Sequence, residues 1–585
     1  MREPMSNLSY RIAAPFGVSM LLMLLSPLAG DALTLQEGLK IVTENGRDVS
    51  IALSDEESAK SAVSLARSSW LPQVDLYGRE TWLYYQPAIK IGPTGVPVPT
   101  SQDQFATVGF KATQVLYDFG KTSSSVSSAK YSLKAREAMT FRARNRAALE
   151  FIIAYFDLLE AEELLKVAQE EVTSYVAHGK DASARFKAGV VTRNEVLQAE
   201  VMLADSKQRL LTSENNRTLR ASRLNSLLMR PLNEPVQPQE IVGHALGPVP
   251  LDQAWAEAEQ SNPDLKDLDA RVRAKEESIS YVQSEYLPTL YVSGGYEYQE
   301  NQYQLHPDNW TVIAGVNINL FAGGSTSSKV GITRSEHLSL KLSREKLLDA
   351  IRLDVQAAWL DRESSNQKVQ VVTAAVAQSA ENLRLQRLRY QQGVGTSTEV
   401  VDAVTLMTTA ETNAWKANFG VRRAEAALLY TMGRDLAGEY NENQYMVHQD
   451  NWAFIAGINI NLSSGGMTSS RVSMTKGELL SLRINREKLL DAVRLDAQAA
   501  WLDLQSSTQK VEVATAAVAQ AEENLRLQRL RYKEGVGTST DVLDAVTLMT
   551  TAETNAWKAN FGVRRAEAAL LYTMGRDLAG AYNGK

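Results

Sequence analysis

The side chains best placed to do chemistry are carboxylates that follow glycine turns at fixed steps. Glu399 and Asp402 come just after Gly393-Val394-Gly395-Thr396. Three residues apart on a helix, they share one face. Glu195 and Gln198 hold the same places after Gly189-Val190-Val191-Thr192, so one carboxylate is kept there. On residue type and spacing alone, such groups most simply solvate a helix face. They are poorly placed for catalysis, because no nucleophile–base pair, metal-ligand spacing or phosphate loop accompanies them. Gly393-Val394-Gly395 is no dinucleotide motif, since no strand feeds it.

The rest of the composition narrows the chemistry further. The 585 residues include no cysteine, which removes disulfides, thiol catalysis and cysteine metal sites. The five histidines (His178, His244, His306, His337, His448) are scattered, and none has another at i+4. The 62 basic and 68 acidic residues leave no nucleic-acid footprint. No enzyme activity, cofactor or metal is expected.

The N-terminus reads as a signal peptide over residues 1–32. Arg2 and Arg11 precede an apolar run, 16–28, and Gly30 and Ala32 offer small residues for cleavage. That run falls short of the roughly 20 residues that span a bilayer, so export without a transmembrane helix is expected.

The elements that carry the carboxylates come in repeats. Residues 297–438 and 439–580 align without a gap, and 402–438 match 544–580 at every position. An older copy of the plan fills the first half, so one supersecondary unit builds the chain. The units are expected over 33–247, 248–438 and 439–585. The plan is helix, strand, loop, strand, long helix, tight turn, returning helix. A 36-residue helix is expected from Leu35 to Leu71 and again from Leu251 to Leu287, each ended by proline. Trp310, Val312, Ala314, Val316, Ile318 and Leu320 alternate with Thr311, Ile313, Gly315, Asn317 and Asn319. Ala106, Val108, Phe110 and Ala112 alternate with Thr107, Gly109, Lys111 and Thr113. Period two predicts half-buried strands, of a membrane barrel or of a soluble sandwich. Trp70, Trp82, Tyr84, Tyr85, Tyr291, Tyr296, Tyr298 and Trp310 cluster near strand ends, as an aromatic girdle would.

The helices favour the barrel. Gly120 to Gly189, Gly324 to Gly393 and Gly466 to Gly535 are each 69 residues apart with no proline between. Ala148, Phe151, Ile152, Tyr155, Phe156 and Leu159 form an apolar stripe at helical steps. A helix of this length spans about 100 Å, more than a globular domain needs. Each is expected to turn back at the glycine into a returning helix, the first ending near Met229.

Tyr117-Asp118-Phe119-Gly120-Lys121 at the strand-to-helix junction, Arg185-Phe186-Lys187-Ala188-Gly189-Val190-Val191-Thr192 with Glu195 at the first turn, and Arg389-Tyr390-Gln391-Gln392-Gly393-Val394-Gly395-Thr396 with Glu399 and Asp402 at the second carry a resemblance. Over about residues 33–436 the chain resembles the outer-membrane efflux protein family. The resemblance implies a mixed α/β membrane protein of the TolC-like fold. A trimeric 12-stranded outer-membrane β-barrel would continue into a long antiparallel α-helical coiled-coil periplasmic tunnel. It implies an exit duct for a tripartite efflux pump or type I secretion system, in the outer membrane. The partners implied are outer-membrane lipid, two further copies, a periplasmic adaptor and an inner-membrane transporter. Gly189, Val190, Val191, Thr192, Gly393, Val394, Gly395 and Thr396 would be the adaptor-docking tips. Glu195, Glu399, Asp402 and Tyr390 would border the aperture. The family's arginine at the turn falls on Gly395, so that lock is missing. The alternative is an exported coiled-coil scaffold without a pore.

The third unit has no pre-strand helix. After Leu436 it reaches its strand-like Tyr440 in four residues, at most some 14 Å. Its strands at 440–447 and 452–462 would then miss the barrel, and 439–585 would be an appendage, with 1–438 as the working protomer. Two other arrangements stay open: unit three replaces unit two, or six strands per chain build a dimeric barrel. Asp541 and Asp544 stand where Glu399 and Asp402 stand, without a gate role assigned.

Overall fold

Residues 33–92, 95–239, 247–440 and 467–576 are described by a computed structural model. The signal peptide and the strand-like segments of the third unit lie outside these residues, apart from Tyr440.

The pre-strand helix is two helices in each of the first two units, not one. In unit one, α1 (Leu35–Asn45) and α2 (Arg47–Arg67) meet at Gly46, whose extended ψ of 141° breaks the spiral. Thr34 and Glu37 start α1 with a reciprocal capping box. In unit two the break falls at Asn262-Pro263. Asn262 accepts from the amides of Asp264 and Leu265, and Pro263 needs no donor at the first helical position.

Strand β1 (Gln73–Trp82) follows. A small hairpin of β2 (Ala88–Ile91) and β3 (Val96–Pro99), which the alternation did not suggest, leads to β4 (Gln104–Tyr117). The hairpin α3 (Lys121–Lys187) and α4 (Arg193–Leu227) completes unit one. Unit two runs α5 (Leu251–Ser261), α6 (Pro263–Gln283), β5 (Thr289–Gln299), β6 (Asp308–Asn317), α7 (Ser325–Gln391) and α8 (Ser397–Thr431). Strand β6 stops at Asn317, so Ile318 and Leu320 lie beyond it. After a short α9 (Leu436–Glu439) come α10 (Met467–Lys533) and α11 (Ser539–Thr573). All three hairpins pair a 67-residue helix with a 35-residue one, about 100 Å against 53 Å.

Strands β1, β4, β5 and β6 form one antiparallel sheet in that order. The register matters more than the strands themselves. Leu76 pairs with Phe110, Phe110 with Tyr296, and Tyr296 with Trp310. Every strand therefore turns its apolar side the same way. Val74, Val108, Val312 and Val316 share that face, and Val312 is 79% exposed. The opposite face carries Asp75, Arg79, Lys111 and Glu297, and Tyr77 donates to Glu297 across 2.7 Å. Among the described residues the sheet has four strands and does not close on itself, so these residues of one chain do not form a twelve-stranded barrel.

The core sits below the sheet. Phe151, Ile152, Tyr155, Phe156 and Leu158 of α3 pack with Leu35, Leu39 and Val42 of α1 and with Leu224 and Leu429 of the returning helices. The whole stripe from Ala148 to Leu159 is buried. The Tyr155 hydroxyl donates to the carbonyls of Leu33 (2.9 Å) and Gln239 (2.7 Å), tying the chain entering α1 to the chain leaving α4. Burial pushes that phenol up to about 12.

Candidate functional site

The two hairpin tips are built alike. Gly189 and Gly393 hold φ at +73° and +79°, the left-handed conformation that ends a helix cheaply only at glycine. The next amides close the turn: Val190 N–H donates to Arg185 O at 2.9 Å, and Val394 N–H to Arg389 O at 3.0 Å. Both valines point outward, 65% and 68% exposed. Apolar side chains at the outermost point of a polar hairpin have no packing reason to be there.

Thr396 and Glu399 then start α8 with a capping box. Glu399 Oε2 accepts from Thr396 N–H at 3.0 Å, and Glu399 N–H donates to Thr396 Oγ1 at 3.3 Å. Arg389 stands 3.7 Å from the same carboxylate. Glu399 is thus engaged in its own turn, while Asp402 on the next turn is exposed. A side chain at 395 would lie 3.0 Å from Tyr390 N and 3.1 Å from Glu399 Oε2, so the turn is crowded against anything but glycine. Thr192 makes no side-chain cap in unit one, which leaves Glu195 available.

Glu195 meets Tyr390. The two are 195 residues apart in the chain, and the phenol donates to the carboxylate at 3.3 Å. Tyr390 is only 3% exposed. Arg185 lies over its ring, 4.6 Å from the centroid, and donates to Gln391 O at 2.7 Å. His178 sits 5.2 Å from the same ring and shares a 2.8 Å hydrogen bond with Ser397 Oγ. Burial raises the Glu195 carboxyl above its ordinary range, against the opposing pull of the Tyr390 hydroxyl, Arg185 and Arg531. Burial lowers the His178 imidazole, Arg387 adding to it and Asp181 opposing it. Burial and the Glu195 charge raise the Tyr390 phenol.

The structure thus joins Glu195 and Tyr390, which sequence reasoning placed at the aperture, and sets Glu399 and Asp402 apart from them. Sequence reasoning missed His178, Arg185 and Ser397 as members of this group. Arg185 was visible in the turn motif, but nothing local signals that His178 faces a second hairpin. The group bonds the first hairpin to the second with one carboxylate, one imidazole and one guanidinium. It can therefore hold the tips together and release them on protonation or mechanical pull. Among the described residues no group of three metal-binding side chains occurs.

The model of the family described as outer membrane efflux protein matches residues 39–228, 255–434 and 437–576. The chain belongs to the outer membrane efflux protein family. As such it is an outer-membrane efflux channel protein and not an enzyme. All three units of this efflux protein match, the third included. It is 22% identical over 404 residues to the outer membrane efflux protein BepC of Brucella suis, covering 67% of this chain and 85% of that one. It is 21% identical over 370 residues to nodulation protein T of Rhizobium leguminosarum, covering 61% and 76%. In structure it resembles the CmeC outer membrane channel of Campylobacter jejuni, with a TM-score of 0.61 at 15% identity, covering 68% of this chain and 86% of that one. The outer membrane protein VceC of Vibrio cholerae gives 0.59 at 16%, covering 69% and 96%. The fold is therefore that of the TolC-like channels. These channels account for about two thirds of the chain.

Proposed function

We propose that this efflux protein is a passive exit duct of a tripartite pump or type I secretion system. Three chains would close one twelve-stranded barrel, and their hairpins would line one tunnel. The observation that carries this reading is the register of the sheet. Four strands turn a mainly apolar face one way and a charged face the other, and among the described residues the sheet ends in two open edges, β1 and β6. An open edge is not tolerated in lipid, so copies must pair edge to edge around an axis. The charged face then lines water. Helices of about 100 Å carry the duct across the periplasm.

Gly189, Val190, Val191 and Thr192, with Gly393, Val394, Gly395 and Thr396, serve as the docking tips for an adaptor. The exposed valines support that role. Glu195 and Tyr390 act as the latch of the closed aperture, and Asp402 faces the water path. The working protomer comprises units 33–247 and 248–438.

Planar-bilayer recording on protein extracted from the outer membrane tests the reading. The expected result is an oligomer with heat-modifiable gel mobility and discrete conductance steps. A soluble periplasmic product without conductance would instead support a non-pore scaffold.

A further inference from the structure

Unit one is covered on both flanks within a single chain, and the two coverings match. On one flank α3 packs along α6 and α8 of unit two. On the other, α10 of unit three packs along α2 and α4 of unit one. Aligning the repeats sets α10 on α3, α2 on α6 and α4 on α8. The second seam is therefore the first seam over again.

The match reaches single residues. Arg142 of α3 pairs with Asp264 of α6 at 3.0 Å. The repeat equivalents of these two are Lys488 and Asp48, and they are paired as well. Tyr175, Met202 and Leu203 pack on unit two beside Val401 and Val404. Their equivalents Ala521, Leu548 and Met549 pack on Val201 of unit one. An incidental contact between two hairpins would not reproduce an ion pair and an apolar cluster at the same repeat positions.

Unit two carries most of the seam-forming side chains of unit three, with Ser379 in place of Ala521 and Ser335 in place of Gly477. Lys346 stands for Lys488, Gln356 for Gln498, Leu406 for Leu548 and Met407 for Met549. Within the chain Lys346 and Gln356 are exposed, and Leu406 is 53% exposed. The α7–α8 hairpin thus has a face made for α2 and α4 of unit one, and its own chain does not supply it.

We propose that the third hairpin is an intramolecular stand-in for the α7–α8 hairpin of a second copy of this chain. It covers the α2–α4 face of the unassembled chain and leaves that face when chains close into a ring. This rests on the ring assembly proposed above. One face cannot hold both hairpins. If the third kept its seat, the next seam would set α7 against α10 and α11 with no counterpart of α2. Tethering gives the intramolecular hairpin a high effective concentration, so it wins in dilute single chains. The complete seam wins where chains meet.

The absence of cysteine makes the test direct. A Cβ at Gly477 would lie 3.5 Å from Ser58 Cβ, at the short end of the disulfide range of about 3.5–4.5 Å. Ser58→Cys with Gly477→Cys therefore reports the intramolecular seat. Ser335 is the unit-two equivalent of Gly477, so Ser58→Cys with Ser335→Cys reports the seam between chains. Both full-length variants are oxidised, as dilute unassembled chain and as outer-membrane extract, and run on non-reducing gels. The expected result is an internal disulfide in the unassembled 58/477 chain, which keeps it out of the oligomer until reductant is added. The 58/335 pair should link chain to chain in the membrane extract. As an independent arm, Lys488→Glu should raise the oligomer fraction at low concentration several-fold. An internal 58/477 disulfide inside the assembled oligomer overturns the proposal. So does its absence from the unassembled chain while 58/335 links chains, and in that case ring assembly stands. If no variant yields linked chains or any oligomer, ring assembly itself fails and this inference with it.

Discussion

The hydroxyl of Tyr390, at the end of the second long helix, donates to the carboxylate of Glu195, at the start of the first returning helix, across 3.3 Å. This bond crosses from one hairpin to the next at the end farthest from the sheet. A hydrogen bond to a charged group contributes about 1.5–3 kcal/mol, and about 1.4 kcal/mol is tenfold in an equilibrium. Tyr390→Phe is expected to raise the open fraction of the channel on the order of tenfold while leaving the hairpins folded. Single-channel recording beside circular dichroism would show it. An unchanged open fraction would remove Tyr390 from the latch.

For the proposed latch a pH dependence with two limbs is expected. The His178 imidazole titrates below its ordinary 6.5 when buried. The released state therefore takes up a proton that the closed state refuses, and the closed state loses stability as pH falls below about 6.5. Glu195 works the other way. Its raised carboxyl pKa means the closed state binds a proton more readily, so acidification towards 4.5 favours closure. Conductance is expected to rise just below pH 6.5 and to fall back nearer 4.5. His178→Gln should flatten the upper limb and keep the lower one.

The outermost valines are expected to matter for docking and not for folding. Val190→Asp with Val394→Asp changes two exposed side chains, and such substitutions alter stability by about 0.5 kcal/mol at most. Efflux in cells should be lost while oligomer yield and bilayer conductance stay unchanged. Loss of the oligomer would make these valines structural.

Gly38 marks a packing limit in the core. A Cβ there would come within 1.9 Å of Phe151 Cζ, and Phe151 is fully buried. Gly38→Ala must push the ring or α1 aside, and overpacking of this kind costs about 1–3 kcal/mol. Denaturant unfolding should show a lowered midpoint with an unchanged slope.

The Tyr155 hydroxyl makes a second, polar tie in the same core. Tyr155→Phe would leave the carbonyl of Gln239 without this donor, while Leu33 O keeps the Gln239 amide at 3.0 Å. An unsatisfied buried group costs about 1–3 kcal/mol. Hydrogen exchange should quicken in α1 and leave the hairpin tips unchanged.

Much of this could be read directly from the residues. The glycines that end the long helices set the hairpin lengths, the alternation at Trp310 to Val316 marked a strand, and the stripe from Ala148 to Leu159 is the core. These signals are local: helix period, strand period and turn chemistry act between residues a few positions apart. Where local signals were subtle the reading slipped. Gly46 and Asn262-Pro263 each split an apparently continuous helix, and β6 ended at Asn317 although apolar alternation ran on to Leu320.

Tertiary structure decided what depends on distant partners. Only the register set Leu76, Phe110, Tyr296 and Trp310 on one face of the sheet. Only packing drew Glu195 to Tyr390, left Glu399 to cap its own helix, and brought His178 against Tyr390 and Ser397. The duplicated hairpin shows the difference most plainly. Its sequence matches unit two at roughly three quarters of positions, yet it rests against unit one. That seat was set by the shape and charge of the α2–α4 face, a surface formed by residues more than a hundred positions apart, which no periodicity along the chain encodes.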